Sequence, residues 1–276
     1  MGNNKNICNC VVFRIDDIQD GFVDPSQLAI MNLFLQKNES LSLGLISNFL
    51  GNDTTIINKI RDGLNKGNFE LASHGWNHEN FSKFGKEDQL ALLNKSNEKI
   101  GELFGIHSAI FIPPSFDFNN HTLDAMRELG FRIISSNDRY YTGMNLSDDR
   151  SDLIANFVHS NNAEKNNIFH LPSTVQYSYF ENNKWKTFSV EQALSKVNKS
   201  ISTYGYAIVT LHPQALAITQ NGNLTDSVNA TELGKLKLLV DSIQSRKIPI
   251  ASFHDLSGVT DEYIANQSNL RKIKNF

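Results

Sequence analysis

Cysteine is nearly absent, with two residues in 276, so a disulfide framework of the kind that staples small secreted folds is excluded. A chain this long can bury a large core without one. The two, Cys8 and Cys10, stand one residue apart. In a strand both thiols would share a face, yet the second ligand pair of a structural zinc site is missing, so buried thiols are expected. Basic excess is lacking too: 26 Lys and Arg against 29 Asp and Glu leave a net charge of −3, which disfavours a nucleic-acid-binding surface. No apolar run reaches the roughly eighteen residues of a membrane-spanning helix. Residues 1–10 (MGNNKNICNC) have neither the basic nor the apolar region of a secretion signal. Internal repeats, low-complexity tracts and Gly/Ser-rich linkers are also missing.

Asparagine, by contrast, is abundant. Of 33, ten lie in Asn-x-Ser/Thr sequons: Asn38, Asn52, Asn80, Asn94, Asn120, Asn145, Asn198, Asn223, Asn229 and Asn266. Chance pairing with the Ser and Thr present gives about four or five, so the excess points to an extracellular or cell-surface glycoprotein. An Asn-rich genome is the alternative source.

Short apolar runs alternate with amphipathic stretches. Strands are expected at 10–15, 42–47, 69–73, 109–112, 131–135, 168–171, 206–211 and 249–253. Between them, helices are expected at about 24–37, 54–66, 86–104, 120–129, 189–204 and 231–246. Their punctuation is local: Asp24-Pro25 as cap and first turn with Gln27 in a capping-box position, Asp53 and Asn119 or Asn120 as caps, Ser189 with Gln192 as a capping box, and Gly67 and Gly130 as stops. Such alternation predicts an α/β fold with a mostly parallel sheet, open or closed into a barrel. The long polar interval 137–167 reads as a loop. One domain over 8–259 and a polar, basic tail over 260–276 are expected.

Functional groups in such folds gather at the C-terminal ends of strands. Those ends carry Asp16-Asp17, Ser73-His74-Gly75-Trp76-Asn77-His78, Pro113-Pro114-Ser115-Phe116, Asn137-Asp138 and His212. Alone, an Asp-Asp pair reads as a solvated turn, a His-x3-His as coincidence and a single His as a core residue. Together they describe a divalent-metal site: one Asp and two His as ligands with coordination left open, a second Asp as base and a further His as acid. That chemistry is metal-assisted hydrolysis of an unactivated acyl bond.

Phe13-Arg14-Ile15-Asp16-Asp17, Ser73-His74 through His78, Phe111-Ile112-Pro113-Pro114-Ser115 and Val209-Thr210-Leu211-His212 resemble, in this order, the motifs of the polysaccharide deacetylase group (NodB homology, carbohydrate esterase family 4). The likeness spans about residues 10–256. It implies a distorted (β/α) barrel of seven to eight mostly parallel strands and removal of N-acetyl groups from a glycan of N-acetylhexosamine, chitin-like or peptidoglycan-like. It also implies Asp17, His74 and His78 as ligands of a divalent metal, zinc by preference, Asp16 as general base, His212 as general acid and the Ser115 backbone N–H as oxyanion donor. Asp138 falls near an acid that tunes the catalytic His. A glycan partner is implied; nucleic acid and membrane spans are not. Related barrels hydrolyse small amides or O-acetyl esters, and a binding protein on the same scaffold is the non-enzymatic alternative.

Two positions depart from that pattern. An Arg that pairs with the catalytic Asp is replaced by Ile112, and the aromatic after the prolines is displaced by Ser115 to Phe116. Strand alternation puts Arg14 on the face of Asp16, so its guanidinium can substitute, unless it snorkels or pairs elsewhere. Trp76, Trp185, Tyr140, Tyr141, Tyr177 and Tyr179 are candidates for a sugar-binding groove or for core, and His170 for a substrate contact.

Overall fold

The first strand, β1 (Cys10–Ile18), is apolar and almost wholly buried, as a strand between two parallel neighbours must be. The computed structural model of the protein describes residues 8–137, 168–182 and 184–258. β1 pairs in parallel with β2 (Leu41–Leu45) and β10 (Tyr206–Leu211). The other strands of this sheet are β3 (Phe69–Ser73), β4 (Ile110–Phe111), β5 (Ile133–Ile134), β6 (Phe169–His170) and β7 (Val175–Gln176). Their order is β6-β5-β4-β3-β2-β1-β10-β7, and β13 (Ile250–Ala251) also pairs with β1. Eight strands on one path, mostly parallel, with helices between them, give the distorted (β/α)-barrel class that the alternation predicts.

Helices α1 (Asp24–Lys37), α2 (Thr54–Asn65), α3 (Lys86–Phe104), α4 (Asn120–Leu129), α5 (Val190–Tyr204) and α6 (Ala230–Ser245) fall within a residue of the expected bounds. Their caps explain the accuracy. Asp53 accepts the Thr55 N–H, and Asn119 with Thr122 and Ser189 with Gln192 close reciprocal capping boxes, each cap contributing about 1 kcal/mol. At α1 the expectation fails: Val23, in the left-handed region at φ 47°, is the cap. Asp24 instead accepts from Gly21 and Phe22, and Gln27 ties down the carbonyls of Gln19 and Phe22. The thiol expectation fails as well, since Cys8 and Cys10 form a disulfide. Two antiparallel hairpins escape the strand reading: β8–β9 (Ser178–Glu181, Lys184–Thr187) and β11–β12 (Ala217–Gln220, Asn223–Val228). The second has a legible signal, Asn221-Gly222 with both residues at positive φ, as a two-residue hairpin turn requires.

The chain divides into two compact units. Met1–Leu45, Phe49–Leu71 and Ser173–Ser252 form the first, where Phe13 of β1 meets Phe34 of α1 edge to face at 5.1 Å. Ile46–Asn48, Ala72–Pro172 and Phe253–Phe276 form the second. There α3 and α4 pack through Phe81, Leu93, Phe111, Ala125, Met126, Phe131 and Ile134. Each such Phe stabilises the fold by about 2–3 kcal/mol.

Candidate functional site

In the first unit the C-terminal end of β1 carries two carboxylates with different surroundings. Arg14 and Asp16 lie two residues apart on one strand face, and Arg14 Nη2 donates to Asp16 Oδ2 at 2.9 Å, with the two side chains 0% and 3% exposed. Burial lowers the guanidinium pKa, and Asp16, then Asp17, oppose that shift. A buried pair of this kind is costly to break from either side, because the surviving charge is stranded. Asp16 Oδ1 is buried without a hydrogen-bond partner among the described residues. One oxygen of this carboxylate is therefore fixed while the other keeps its acceptor capacity.

Asp17 is only half-buried and sits at φ 63°, in the left-handed region, where the register of β1 against β2 shifts between Ile15 and Ile18. Such an irregularity re-aims a side chain at a strand end. Gln214, in the short turn Pro213–Leu216 after β10, donates to Asp17 Oδ2 at 2.8 Å. No sequence signal singles out Gln214, which is 197 positions away. His212 stacks on the indole of Trp185 at 5.1 Å and 29°, with Ser178 Oγ 3.5 Å from its Nδ1. The indole face opposes positive charge on the imidazole ring less than a neutral aliphatic wall would, since its quadrupole attracts a cation.

In the second unit His74 follows β3 and its Nδ1 lies 2.7 Å from the carbonyl oxygen of Ile112. A carbonyl only accepts, so Nδ1 carries a proton, and in the neutral ring Nε2 then presents the lone pair that a metal ligand needs. Ile112 thus acts through its backbone, while its side chain is fully buried. His78 is exposed, at φ 63°, with its ring 4.9 Å from that of His74.

The loop between the histidines is held by Glu79, which the sequence reading missed. Its two carboxylate oxygens accept the N–H groups of Trp76 at 3.0 Å and Asn77 at 2.9 Å. Asn77 also accepts from Asn48, and Ser47 N–H and Ser96 Oγ both reach the Gly75 carbonyl. Gly75 has φ +81°, which glycine adopts without strain, and a Cβ there would stand 2.8 Å from Glu79 Oε2 and displace that carboxylate.

After β4 comes Pro113-Pro114, neither of which has an N–H. Ser115 and Phe116 both have positive φ, 57° and 61°. The Phe116 and Asp117 amides bond the carbonyls of Pro113 and Pro114.

Asp17 of the first unit and His74 and His78 of the second offer one carboxylate oxygen and two imidazole nitrogens. One oxygen with two imidazole nitrogens is a donor set that suits a zinc ion.

Of the remaining candidates, Asp138, Tyr140 and Tyr141 lie outside the described residues. Tyr177 is fully buried and lines no groove, its hydroxyl pKa pushed up by that burial. Trp76 is half-buried beneath the Lys95 ammonium, 4.1 Å from the ring centroid. His170 is buried against Phe118 at 5.8 Å. Tyr179 and Trp185 are the candidates left accessible.

Residues 45–134, about a third of the chain, match the family model described as polysaccharide deacetylase. Over these residues the chain is similar to the polysaccharide deacetylase family. The match includes His74, His78 and the Ile112–Ser115 turn, while Asp16, Asp17 and His212 lie outside it. Comparison with curated proteins finds no match. Among solved structures, the chain is similar in fold to a family 4 acetyl xylan esterase from Clostridium thermocellum in complex with a cobalt ion. There the TM-score is 0.58 at 12% identity, over 91% of this chain and 93% of that one. A peptidoglycan deacetylase mutant from Bacillus subtilis gives 0.53 at 9%, over 96% and 95%. A CE4 family pseudoenzyme from Bacillus anthracis gives 0.57 at 11%, over 90% of this chain but 65% of that one.

Proposed function

We propose that the protein is a metal-dependent deacetylase that removes N-acetyl groups from N-acetylhexosamine units of a chitin-like or peptidoglycan-like glycan, within one catalytic domain over residues 8–259. The observation that carries this reading is the donor set of Asp17, His74 and His78, with His74 Nδ1 held at the Ile112 carbonyl and the His78 ring 4.9 Å from that of His74. These residues would hold a divalent metal, zinc by preference, which when bound supplies the Lewis acidity that activates water and polarises an acetyl carbonyl. Asp16 would take the proton of the attacking water at Oδ1, since Arg14 occupies Oδ2. The Ser115 N–H would oppose charge developing on the acetyl oxygen, a contribution of about 3 kcal/mol. His212, oriented by Trp185 and Ser178, would deliver a proton to the departing nitrogen. The C–N bond breaks, and acetate and a free amine leave.

An extracellular or cell-surface setting is part of the proposal. Asn38, Asn52, Asn94, Asn120, Asn198 and Asn223 are exposed, whereas Asn80 and Asn229 serve as caps. The Cys8–Cys10 disulfide also favours an oxidising compartment. Among the described residues, no helix is long and apolar enough to cross a membrane.

Acetate release from chitooligosaccharides, acetylated xylan and small amides, before and after chelation, tests the reading. N-acetylated glycan should be preferred, with release falling about 10^3-fold or more on chelation and returning with zinc. Release that survives chelation would refute it. The likeness to a pseudoenzyme and the loss of an Arg to Ile112 favour one rival, a glycan-binding protein, and affinity without turnover would select it.

Glu79 gives an independent check. Glu79→Gln retains one acceptor oxygen for two amides, and Glu79→Ala none. Zinc affinity, measured by competition with a chromophoric chelator, should fall about tenfold in the first and further in the second. Unchanged affinity in both would show that this carboxylate does not hold the ligand loop.

A further inference from the structure

The β8–β9 hairpin carries an aromatic ring, Phe180, that neither the sheet nor the catalytic proposal uses. Its register sets Phe180 opposite Trp185, their rings edge to face at 5.7 Å and 61°. Trp185 in turn stacks on His212, and Ser178, two residues from Phe180, approaches the same imidazole. Alternation therefore puts Ser178, Phe180 and Trp185 on one hairpin face, and the rings run outward from His212 through Trp185 to Phe180. Phe180 is 60% exposed. Lys186 pairs with Glu181 at 2.7 Å, away from this row of rings.

We infer that Phe180 and Trp185 form a subsite for a neutral sugar polymer, holding the ring next to the acetylated unit on the side of the departing nitrogen. Three observations select this occupant. The row of rings is continuous with His212, the group proposed to protonate that nitrogen. A pyranose presents polarised C–H bonds on its faces, which the electron-rich face of an aromatic ring attracts. A row built of Ser178, Phe180 and Trp185 gives no Coulombic grip to a polyanion or a charged peptide. Leaving a Phe this exposed forgoes the stabilisation of burial, and a stacked sugar would recover part of it. The inference rests on the proposed function for the placement of the acetylated unit; the affinity of the platform for glycan does not.

The test uses the full chain and Phe180→Ala, a change at an exposed hairpin position, with N-acetylglucosamine dimer and hexamer as substrates. The hexamer-to-dimer ratio of kcat/KM should fall about five- to tenfold in the variant, through KM for the hexamer. An unchanged ratio would overturn the subsite. So would a dimeric wild type that Phe180→Ala renders monomeric without altering the ratio, because the face would then serve self-association. If the wild type releases no acetate, hexamer binding is read by tryptophan fluorescence. Binding lost in Phe180→Ala would support the subsite while the hydrolase reading falls. Binding that is absent, or equal in both proteins, would reject the subsite.

Discussion

Replacing Asp16 by Asn should reduce acetate release about 10^3-fold while zinc content stays at that of the wild type. An amide cannot take the proton of the attacking water, and general-base catalysis of this kind is worth about 10^2- to 10^4-fold. The metal should remain, because the proposed ligand is the neighbouring Asp17, which faces a different partner, Gln214. Asp17→Asn should do the reverse and release the metal, since a neutral amide replaces an anionic ligand. Kinetics together with elemental analysis of the two variants decide the matter. Loss of metal from Asp16→Asn would mean that the two adjacent carboxylates have exchanged roles. Thermal melting must accompany this comparison, because Asp16→Asn leaves the buried Arg14 guanidinium without its carboxylate.

The second large effect belongs to Arg14. With the guanidinium fully buried and Asp16 3% exposed, Arg14→Met strands a carboxylate in the interior, at a cost of about 3–5 kcal/mol. For a chain of this size that is a fall in Tm on the order of 10 °C. Arg14→Met/Asp16→Asn should recover much of it, since no charge is then left unpaired, and the coupling in that double-mutant cycle measures the pair itself. Arg14→Lys should lie between, keeping the charge but losing the planar fork. If Arg14 also positions the base, Arg14→Lys should lower kcat more than KM at a temperature where it is folded. Additive losses in the cycle would show that the 2.9 Å contact stabilises nothing.

The residues proposed for the site could be placed because strand ends are punctuated locally. Caps at Asp53, Asn119 and Ser189 involve side chains within three residues of the amides they satisfy, so the helices and the strands between them could be placed from the chain alone. The motif residues then fell at strand ends. Where the local rules compete, the reading failed. Asp24 and Gln27 look like a cap and its partner, yet both serve the preceding turn, because Val23 takes the left-handed conformation. Tyr177 is open to groove or core on the sequence, and its place among buried side chains depends on packing that composition does not reveal.

The sequence by itself therefore determined the order of the elements, the α/β class and the positions at strand ends of the residues proposed to bind a metal and move protons. Those follow from short-range hydrogen bonding and from the period of the apolar pattern, both read within a few residues. Only the tertiary structure decided the partners: Arg14 committed to Asp16, Gln214 brought to Asp17, the Ile112 carbonyl fixing the tautomer of His74, and Glu79 tying the loop between the histidines. For Gln214 and Ile112 the physical reason is contact across long sequence separation. For Arg14 and Glu79 it is burial or left-handed backbone, which select one among several geometrically allowed partners only once the surrounding chain is packed.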